Sequence, residues 1–205
     1  VFEIGDLPFE SGAFMEPLSC VLHGVERLGP QMGDQVAILG AGPIGCLLLQ
    51  TLRLRGAAQV TMVDKNTDRL EAARTLGADA VLDDLNALKP DHYDAVVDAT
   101  GAVAVMSRAL DFARHGGKVL LFGVPPSGKM MTVEAFPIFR KGLTILSSFT
   151  SLRNSLQAVE LLRSGRIDVS RLVSHRLPLE AFQHGIELIE GRQENVMKVM
   201  VIPNA

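Results

Sequence analysis

The chain has 205 residues, 47% of them hydrophobic, and a formal net charge of −3. This size fits one large domain, or one domain with part of another, and it supports a sizeable core. The basic residues are dispersed and no apolar run approaches the ~20 residues of a membrane span, so we expect neither a nucleic-acid nor a membrane partner.

Predicted helices and strands alternate along the sequence after an irregular lead-in at residues 1–11. Apolar residues at helical spacing predict helices at residues 13–28, 46–54, 68–76, 103–114, 136–140, 154–164 and 179–190. Short apolar runs predict strands at residues 36–39, 59–63, 80–83, 93–98, 118–123, 143–149, 172–177 and 196–202. This alternation predicts an α/β fold, in which a doubly wound parallel sheet of six strands is covered by helices on both faces.

The stretch from Val36 to Gly45 carries the motif around which the chain is organised. A short apolar strand ends in Gly40-x-Gly42-x-x-Gly45, and a helix follows at once. Gly40 permits the turn, Gly42 lets a pyrophosphate approach the backbone, and Gly45 lets the helix lie close to the strand. Pro43 suits the first helical turn, whose free N–H groups then face an anion.

Asp64 ends the second strand, about 20 residues after the glycine loop, where a carboxylate can accept the hydroxyl groups of an adenosine ribose. The alternative is that Asp64 caps the helix that begins near Asn66. Strand, loop, helix, strand and acidic residue together favour a dinucleotide site. An acidic side chain at this position also favours NAD over NADP, because it repels a 2′-phosphate.

The other candidate side chains are isolated in the sequence. Cys20 and Cys46 are too few for a disulfide framework or a zinc cluster, and they indicate a reducing, cytoplasmic location. His23 lies on the same predicted helix as Glu16, but a packed or surface histidine is the plainer interpretation. Thr100 follows the end of a predicted strand, where ligands gather in such sheets.

Several stretches together resemble the zinc-dependent medium-chain alcohol and polyol dehydrogenases, most closely their sorbitol-dehydrogenase-like branch. The stretches run in family order over nearly the whole chain. They are Glu16-Pro-Leu-Ser, Gly40-Ala-Gly-Pro-Ile-Gly45, Asp98-Ala-Thr-Gly101, Gly116-Gly-Lys-Val-Leu-Leu-Phe-Gly123 and Leu172-Val-Ser-His-Arg-Leu-Pro-Leu179.

The resemblance implies a division of the chain into three parts. Residues 1–30 would be a lead-in and inter-domain helix, and residues 31–165 an NAD-binding Rossmann domain. Residues 166–205 would return towards a barrel-like, GroES-like catalytic domain, which in this family precedes the nucleotide domain and supplies most zinc ligands. Because the sequence begins at Val1 without a methionine or signal sequence, we expect the later part of a longer protein, with remnants of a second domain at its ends.

The resemblance also implies which residues bind the cofactor, NAD. The pyrophosphate would contact Gly40, Gly42, Pro43, Ile44 and Gly45, and the adenosine would contact Asp64 and Arg69. The nicotinamide ribose would lie beside Phe122, Gly123 and Val124, and the nicotinamide end would be reached by Ser148, Phe149 and Thr150. Thr100, at its strand end, is a further expected neighbour of the cofactor. Thr150 stands where polyol dehydrogenases often carry an arginine that helps to hold the substrate.

Glu16 has two interpretations. In the polyol branch the corresponding glutamate lies at the zinc site, so the resemblance implies a catalytic and metal-binding role through the metal or its water. The residues alone favour a simpler role, in which Glu16 complements the positive start of its helix.

The resemblance implies an enzyme that transfers a hydride between NAD and a secondary alcohol, a polyol or sugar alcohol, with help from zinc. One alternative is a zinc-free medium-chain NAD(P)H reductase of enones or quinones. Another is a nucleotide-sensing module without chemistry. The chain by itself is expected to be inactive, because most of the metal site would lie elsewhere.

The sixth predicted strand, from Leu143 to Phe149, is expected at an edge of the sheet, because such folds have the strand order 3-2-1-4-5-6. It contains no charge and no proline to protect an exposed edge. We therefore expect it to pair with its own copy about a two-fold axis, and the resemblance implies a homodimer or homotetramer through this side. The alternative is that a loop or the tail helix covers this edge within one chain.

Overall fold

The computed structural model describes residues 2–191 and 196–203. Val1, residues 192–195 and residues 204–205, which belong to the predicted lead-in and C-terminal segment, lie outside the described residues. The helices are α1 (Phe9–Gly12), α2 (Met15–Leu28), α3 (Pro43–Leu54), α4 (Thr67–Thr75), α5 (Val103–Phe112), α6 (Ala135–Lys141), α7 (Ser155–Arg163) and α8 (Phe182–Gly191). The strands are β1 (Gln35–Leu39), β2 (Gln59–Val63), β3 (Ala80–Leu82), β4 (Tyr93–Asp98), β5 (Ala113–Leu121), β6 (Thr144–Ser147), β7 (His175–Pro178) and β8 (Val199–Ile202).

Six strands form one parallel sheet in the order β3-β2-β1-β4-β5-β6. Val36 of β1 aligns with Val60 of β2 and with Ala95 of β4, so the carboxyl ends of the central strands meet at one edge of the sheet. The predicted doubly wound parallel sheet is confirmed. In the described part of the chain β6 pairs with β5 alone, so its outer edge is open.

Apolar cores cover both faces of this sheet. Side chains alternate along a strand, so Val36 and Ile38 of β1 face one core while Ala37 and Leu39 face the other. Helices α2, α3 and α7 pack on the first side and α5 on the second. Burial of each large apolar side chain contributes ~1.5–3 kcal/mol, which explains why the central strands are apolar on both faces.

Helix α2 is fixed against β5 at its middle and at its end. A Cβ atom at Gly24 would come within 2.7 Å of the Phe122 ring, so the helix approaches the sheet more closely than any other residue type would allow. At the end of the helix, the Lys118 ammonium group donates to the carbonyl oxygens of Leu28 and Gly29 at 2.9 and 2.8 Å. These carbonyls are among those a helix terminus leaves without partners.

The last two strands form a separate parallel pair, which α8 connects. Arg176 of β7 reaches back to Glu10 of α1, with Nε–Oε1 and Nη2–Oε2 distances of 2.7 Å each. The hydrogen bonds from Arg176 hold the pKa of Glu10 below its usual range. The beginning of the chain is thereby tied to its C-terminal unit.

The helix predicted at residues 103–114 ends early, at Phe112, because the chain turns directly into β5. Strand β5 is longer than predicted at its start and contains a bulge opposite the stretch between Tyr93 and Ala95. Gly116 has a φ of 72° within this bulge, a conformation that favours glycine.

Other predicted boundaries are also wrong. Strand β6 spans Thr144–Ser147 rather than residues 143–149, and β8 begins at Val199 rather than at residue 196. Strand β5 ends before residues 122 and 123, because both N–H groups there turn towards the Asp98 carbonyl oxygen. Strand β7 begins later than residue 172, because the Leu172 N–H turns back to donate to the Val169 carbonyl oxygen. The lead-in contains a short helix, α1, rather than irregular chain alone. Among the described residues no helix is both long enough and apolar enough to cross a membrane.

Candidate functional site

The glycine loop joins β1 to α3 through a backbone contact that leaves no room for a side chain. A Cβ atom on Gly45 would lie 2.0 Å from the Gly40 carbonyl oxygen. Gly40 itself has a φ of 106°, and its N–H donates to the Val63 carbonyl oxygen of β2 at 2.7 Å. The turn therefore requires glycine at both positions and fixes where α3 begins.

Helix α3 begins at this edge with free N–H groups. Gly42 occupies the N-cap position, Pro43 follows it, and no side chain caps the helix. The first loop-to-helix bond runs from the Cys46 N–H to the Gly42 carbonyl oxygen, so the N–H groups of Ile44 and Gly45 have no partner within the helix. Together with the helix dipole, such groups favour an anion.

The half-buried Asp64 carboxylate is bonded to the glycine loop. Its Oδ2 atom accepts a hydrogen bond from the Ala41 N–H at 2.8 Å, and Oδ1 accepts one from the Asn66 N–H at 2.9 Å. The side chain that caps α4 is Asn66, whose Oδ1 accepts from Asp68 and Arg69. A carboxylate has about four lone-pair sites, so Asp64 retains capacity for a ribose hydroxyl group.

Arg69 reaches over the same loop from α4. Its Nη1 atom lies 4.0 Å from the position that a Cβ atom on Gly42 would take. Its Nη2 atom donates to the Val196 carbonyl oxygen at 2.7 Å, whereas Nε is enclosed and has no partner. An enclosed donor without an acceptor is uncommon, and the Arg69 atom that lies near the glycine loop is Nη1.

Asp98 organises the next strand end, a role that the sequence analysis missed. Its fully buried carboxylate accepts hydrogen bonds from the Thr100 N–H and hydroxyl groups, at 3.2 and 2.6 Å, and from the Gly101 N–H at 3.1 Å. A Cβ atom on Gly123 would lie 2.0 Å from the Gly101 nitrogen. The loops after β4 and β5 are thus in backbone contact. The available signal was an acidic residue that directly follows the apolar run Ala95-Val-Val97 at the end of the strand.

The residues predicted for the nicotinamide end lie at the ends of β5 and β6. Phe122 is half-buried against α2, whereas Val124 and Phe149 are exposed. The Ser148 hydroxyl oxygen is enclosed and has no partner among the described residues. Thr150 has a φ of 54°, which is a strained conformation for a β-branched residue and is often found at functional sites.

Glu16 lies exposed in the first turn of α2. Its Oε1 atom accepts a hydrogen bond from the Cys20 thiol at 3.3 Å, and Oε2 accepts none in the described part of the chain. Burial, followed by this hydrogen bond, raises the pKa of Cys20 to about 11, so the thiol stays protonated and can donate. Burial raises the pKa of Cys46 to about 12, which agrees with a place in the core.

Comparison with known proteins identifies the family. A family profile described as zinc-binding dehydrogenase matches residues 43–164, more than half of the chain. The chain belongs to the zinc-binding dehydrogenase family. The resemblance found in the sequence is thereby confirmed.

Two curated members of the zinc-binding dehydrogenase family illustrate the similarity. D-altritol 5-dehydrogenase from Agrobacterium fabrum is 38% identical over 86% of this chain and 54% of its own length. D-arabinitol dehydrogenase 1 from Uromyces fabae is 31% identical over 100% of this chain and 61% of its own. The chain therefore spans between half and two thirds of the length of these relatives.

A solved structure from the same family has the same fold. It is described as a zinc-binding dehydrogenase from Sinorhizobium meliloti 1021 bound to NADP, and it is 32% identical in sequence. The superposition has a TM-score of 0.89 and covers 96% of this chain and 61% of that one.

The residues of this zinc-binding dehydrogenase chain fit a dinucleotide more fully than they fit a metal. The glycine loop presents free N–H groups, the Asp64 carboxylate is bonded to that loop, and the Arg69 guanidinium group lies near Gly42. By contrast, the described residues contain no group of three or more His, Cys, Asp or Glu side chains that could hold a metal ion. Glu16 offers a single exposed carboxylate, whose Oε1 atom accepts from Cys20.

Removing the Asp98 carboxylate is expected to destabilise the site and the fold together. The Asp98→Ala change removes the acceptor of three donors, of which the Gly101 N–H is buried and the two Thr100 groups are partly buried. A buried donor without an acceptor costs ~1–3 kcal/mol, so we expect a loss of about 2–3 kcal/mol in the free energy of unfolding. Urea denaturation measures this value. Asp83→Ala, which removes an exposed carboxylate just after β3, is the control and should change stability by less than ~0.5 kcal/mol. Equal effects of the two substitutions would contradict this role for Asp98.

Proposed function

We propose that the chain is the dinucleotide-binding part of a zinc-assisted, NAD-linked dehydrogenase that oxidises a secondary hydroxyl group of a polyol or sugar alcohol. The observation that carries the proposal is the hydrogen bond between the Asp64 carboxylate and the glycine-loop N–H of Ala41. This bond holds a ribose acceptor beside a phosphate cradle. The substrate class rests on the names of the relatives, an altritol and an arabinitol dehydrogenase.

In this proposal the chain positions the cofactor in three places. The N–H groups after Gly42 bind the pyrophosphate, Asp64 and Arg69 hold the adenosine, and the strand ends near Thr100 receive the nicotinamide end. The remaining residues proposed for that end are Phe122, Gly123, Val124, Ser148, Phe149 and Thr150. Bound NAD accepts the hydride and zinc supplies Lewis acidity, with most zinc ligands provided outside residues 1–205.

The same proposal divides the chain into the three parts expected from the sequence. Residues 1–30 would lead from a catalytic domain into the nucleotide-binding unit at 31–165, and residues 166–205 would return to that domain. The contact between Glu10 and Arg176 supports it, because it brings the first and last of these segments together. A cytoplasmic location stays a prediction, supported by the two free thiols.

We propose a preference for NAD over NADP, although the similar Sinorhizobium structure holds NADP. The Asp64 carboxylate already accepts two hydrogen bonds that fix its position, so it cannot easily turn away from a 2′-phosphate. Lys65, the next residue, is exposed and would soften the repulsion. The preference should therefore be partial.

Exchange of Asp64 for serine should narrow the difference in affinity between the two cofactors. Loss of one close negative charge removes about 1–2 kcal/mol of repulsion, so we expect NADPH binding to tighten by roughly tenfold while NADH binding weakens. Fluorescence titration of both cofactors measures this. Asp68→Ser, in the first turn of α4, is the matched control. Equal or tighter binding of NADPH by the unaltered chain would contradict the proposal.

Substitution of Glu16 tests whether this residue acts at the zinc site. If its free Oε2 atom faces the zinc site, Glu16→Ala in the full-length enzyme should lower kcat by at least tenfold, with the Kd of NADH nearly unchanged. Turnover and NADH titration on the same preparation measure the two effects. Normal turnover with only a lower melting temperature would instead support the helix-start role.

We also propose that the chain forms a homodimer or homotetramer through residues 143–149. Its support is the open outer edge of β6 together with exposed apolar side chains beside it. Ile145 is 36% and Phe149 85% exposed, and Phe136 and Phe139 of the adjoining α6 are exposed as well. An uncharged edge of this kind can extend a sheet across a two-fold axis.

A lysine in β6 should separate the subunits. Ile145→Lys places two like charges near the proposed axis, so light scattering at tens of micromolar should change from the mass of a dimer or tetramer to that of a monomer. Leu54→Lys, at the exposed end of α3, is the control and should leave the mass unchanged. The proposed interface would be contradicted if the unaltered chain is a monomer, or if Ile145→Lys does not change the mass of the dimer.

A further inference from the structure

A groove of about 870 Å³ lies between α2 and the start of α7, apart from the glycine loop. Its polar lining consists of His23, Glu26, Arg27, Arg153, Asn154 and Gln157. No part of the proposed cofactor site uses these side chains.

His23 is the most informative of them. The side chain is nine-tenths buried, yet it makes no hydrogen bond in the described part of the chain. The two ring nitrogens of His23 lack a partner among the described residues, but neither is fully enclosed by protein atoms. The open space that His23 lines is the groove. A buried imidazole normally has partners for its N–H donor and its acceptor. Here the donor is available to a ligand in the groove.

Positive charge in the groove exceeds negative charge. Arg27 and Arg153 are exposed, and neither forms an ion pair or hydrogen bond with the described residues. The carboxylate of Glu26 is compensated, because it accepts from Arg55 at 3.3 Å and from Asn154 at 3.0 Å. Two unpaired guanidinium groups are therefore available, and guanidinium geometry suits phosphate oxygens.

The start of α7 borders the same groove, through Asn154 and Gln157. Asn154 occupies the N-cap position and is almost fully buried, but its side chain does not cap the helix. The side-chain nitrogen of Asn154, Nδ2, donates instead to the side-chain oxygens of Glu26 and Gln157, at 3.0 Å each. The first-turn N–H groups of α7 thus remain without a capping acceptor, at the positive end of the helix.

We propose that this groove binds a phosphate group, held by Arg27 and Arg153 and accepting a hydrogen bond from His23. Helix α2 links the groove to the proposed nicotinamide end, because it carries both His23, which lines the groove, and Gly24, which packs on Phe122. The phosphate can be the free ion or the phosphoryl group of a substrate, and the second source rests on the proposed function.

Calorimetric titration with inorganic phosphate tests the site directly. The chain is first saturated with NADH, which occupies the glycine loop and removes that second anion site. We expect Arg27→Gln and Arg153→Gln each to weaken phosphate binding by at least tenfold. Arg171→Gln removes an exposed arginine outside the groove and should have less than a twofold effect.

His23→Phe gives an independent check, because it keeps a ring but removes both ring nitrogens. We expect weaker phosphate binding with NADH affinity unchanged. Three results would overturn the proposal: no phosphate binding at millimolar concentrations, equal loss with Arg171→Gln, or binding that only the NADH-free chain displays.

Turnover of the full-length enzyme separates the two sources of phosphate. If a substrate phosphoryl group occupies the groove, Arg153→Gln should raise KM for a polyol phosphate at least tenfold and leave KM for the unphosphorylated polyol unchanged. If free phosphate is the ligand, both KM values should be unchanged while phosphate binding is still lost. An inactive enzyme that binds phosphate as described would contradict the proposed function and leave the groove assignment standing.

Discussion

Two backbone contacts at the carboxyl edge of the sheet determine how the loops and the start of α3 are arranged around the proposed cofactor site. Gly45 touches the carbonyl group of Gly40, and Gly123 touches the N–H group of Gly101; a Cβ atom at Gly45 or Gly123 would come within 2.0 Å of its neighbour. The first contact fixes the start of α3 directly above β1. The second joins the loops after β4 and β5. Because no side chain separates the segments at either contact, the start of α3 can bind an anion, and the loops after β4 and β5 can line the rest of a dinucleotide site.

Helix α2 links this edge to the rest of the molecule. It carries Glu16 in its first turn and His23 two turns later, and Gly24 holds it against the end of β5. At 1.5 Å per residue, Glu16 and His23 lie about 10 Å apart along the helix. A single rigid element therefore spans the proposed metal side and the groove beside α7. A shift of α2 would disturb both together.

Much of this arrangement could be predicted from the sequence where its causes are local. The glycine spacing, the apolar strands and Asp64 stand close together, so their geometry follows from turn and strand rules. The role of Lys118 could not be predicted in that way, because Lys118 closes α2 by contacting Leu28, 90 residues earlier. The Asp98 carboxylate binds Thr100 and Gly101, two and three residues later, so its role was missed although its cause is local. The bulge in β5 could not be predicted either, because it arises from the register in which β5 pairs with β4.

The central claim is that a dinucleotide lies on the carboxyl edge, with its pyrophosphate on α3 and its ribose on Asp64. Amide chemical shifts of the isotope-labelled chain during NADH titration test it most directly. The account predicts that the largest saturable shifts occur at Ala41, Ile44 and Gly45, and that those of His23 and Arg153 stay small. Shifts concentrated in the groove between α2 and α7, or no saturable shift in the glycine loop, would contradict it.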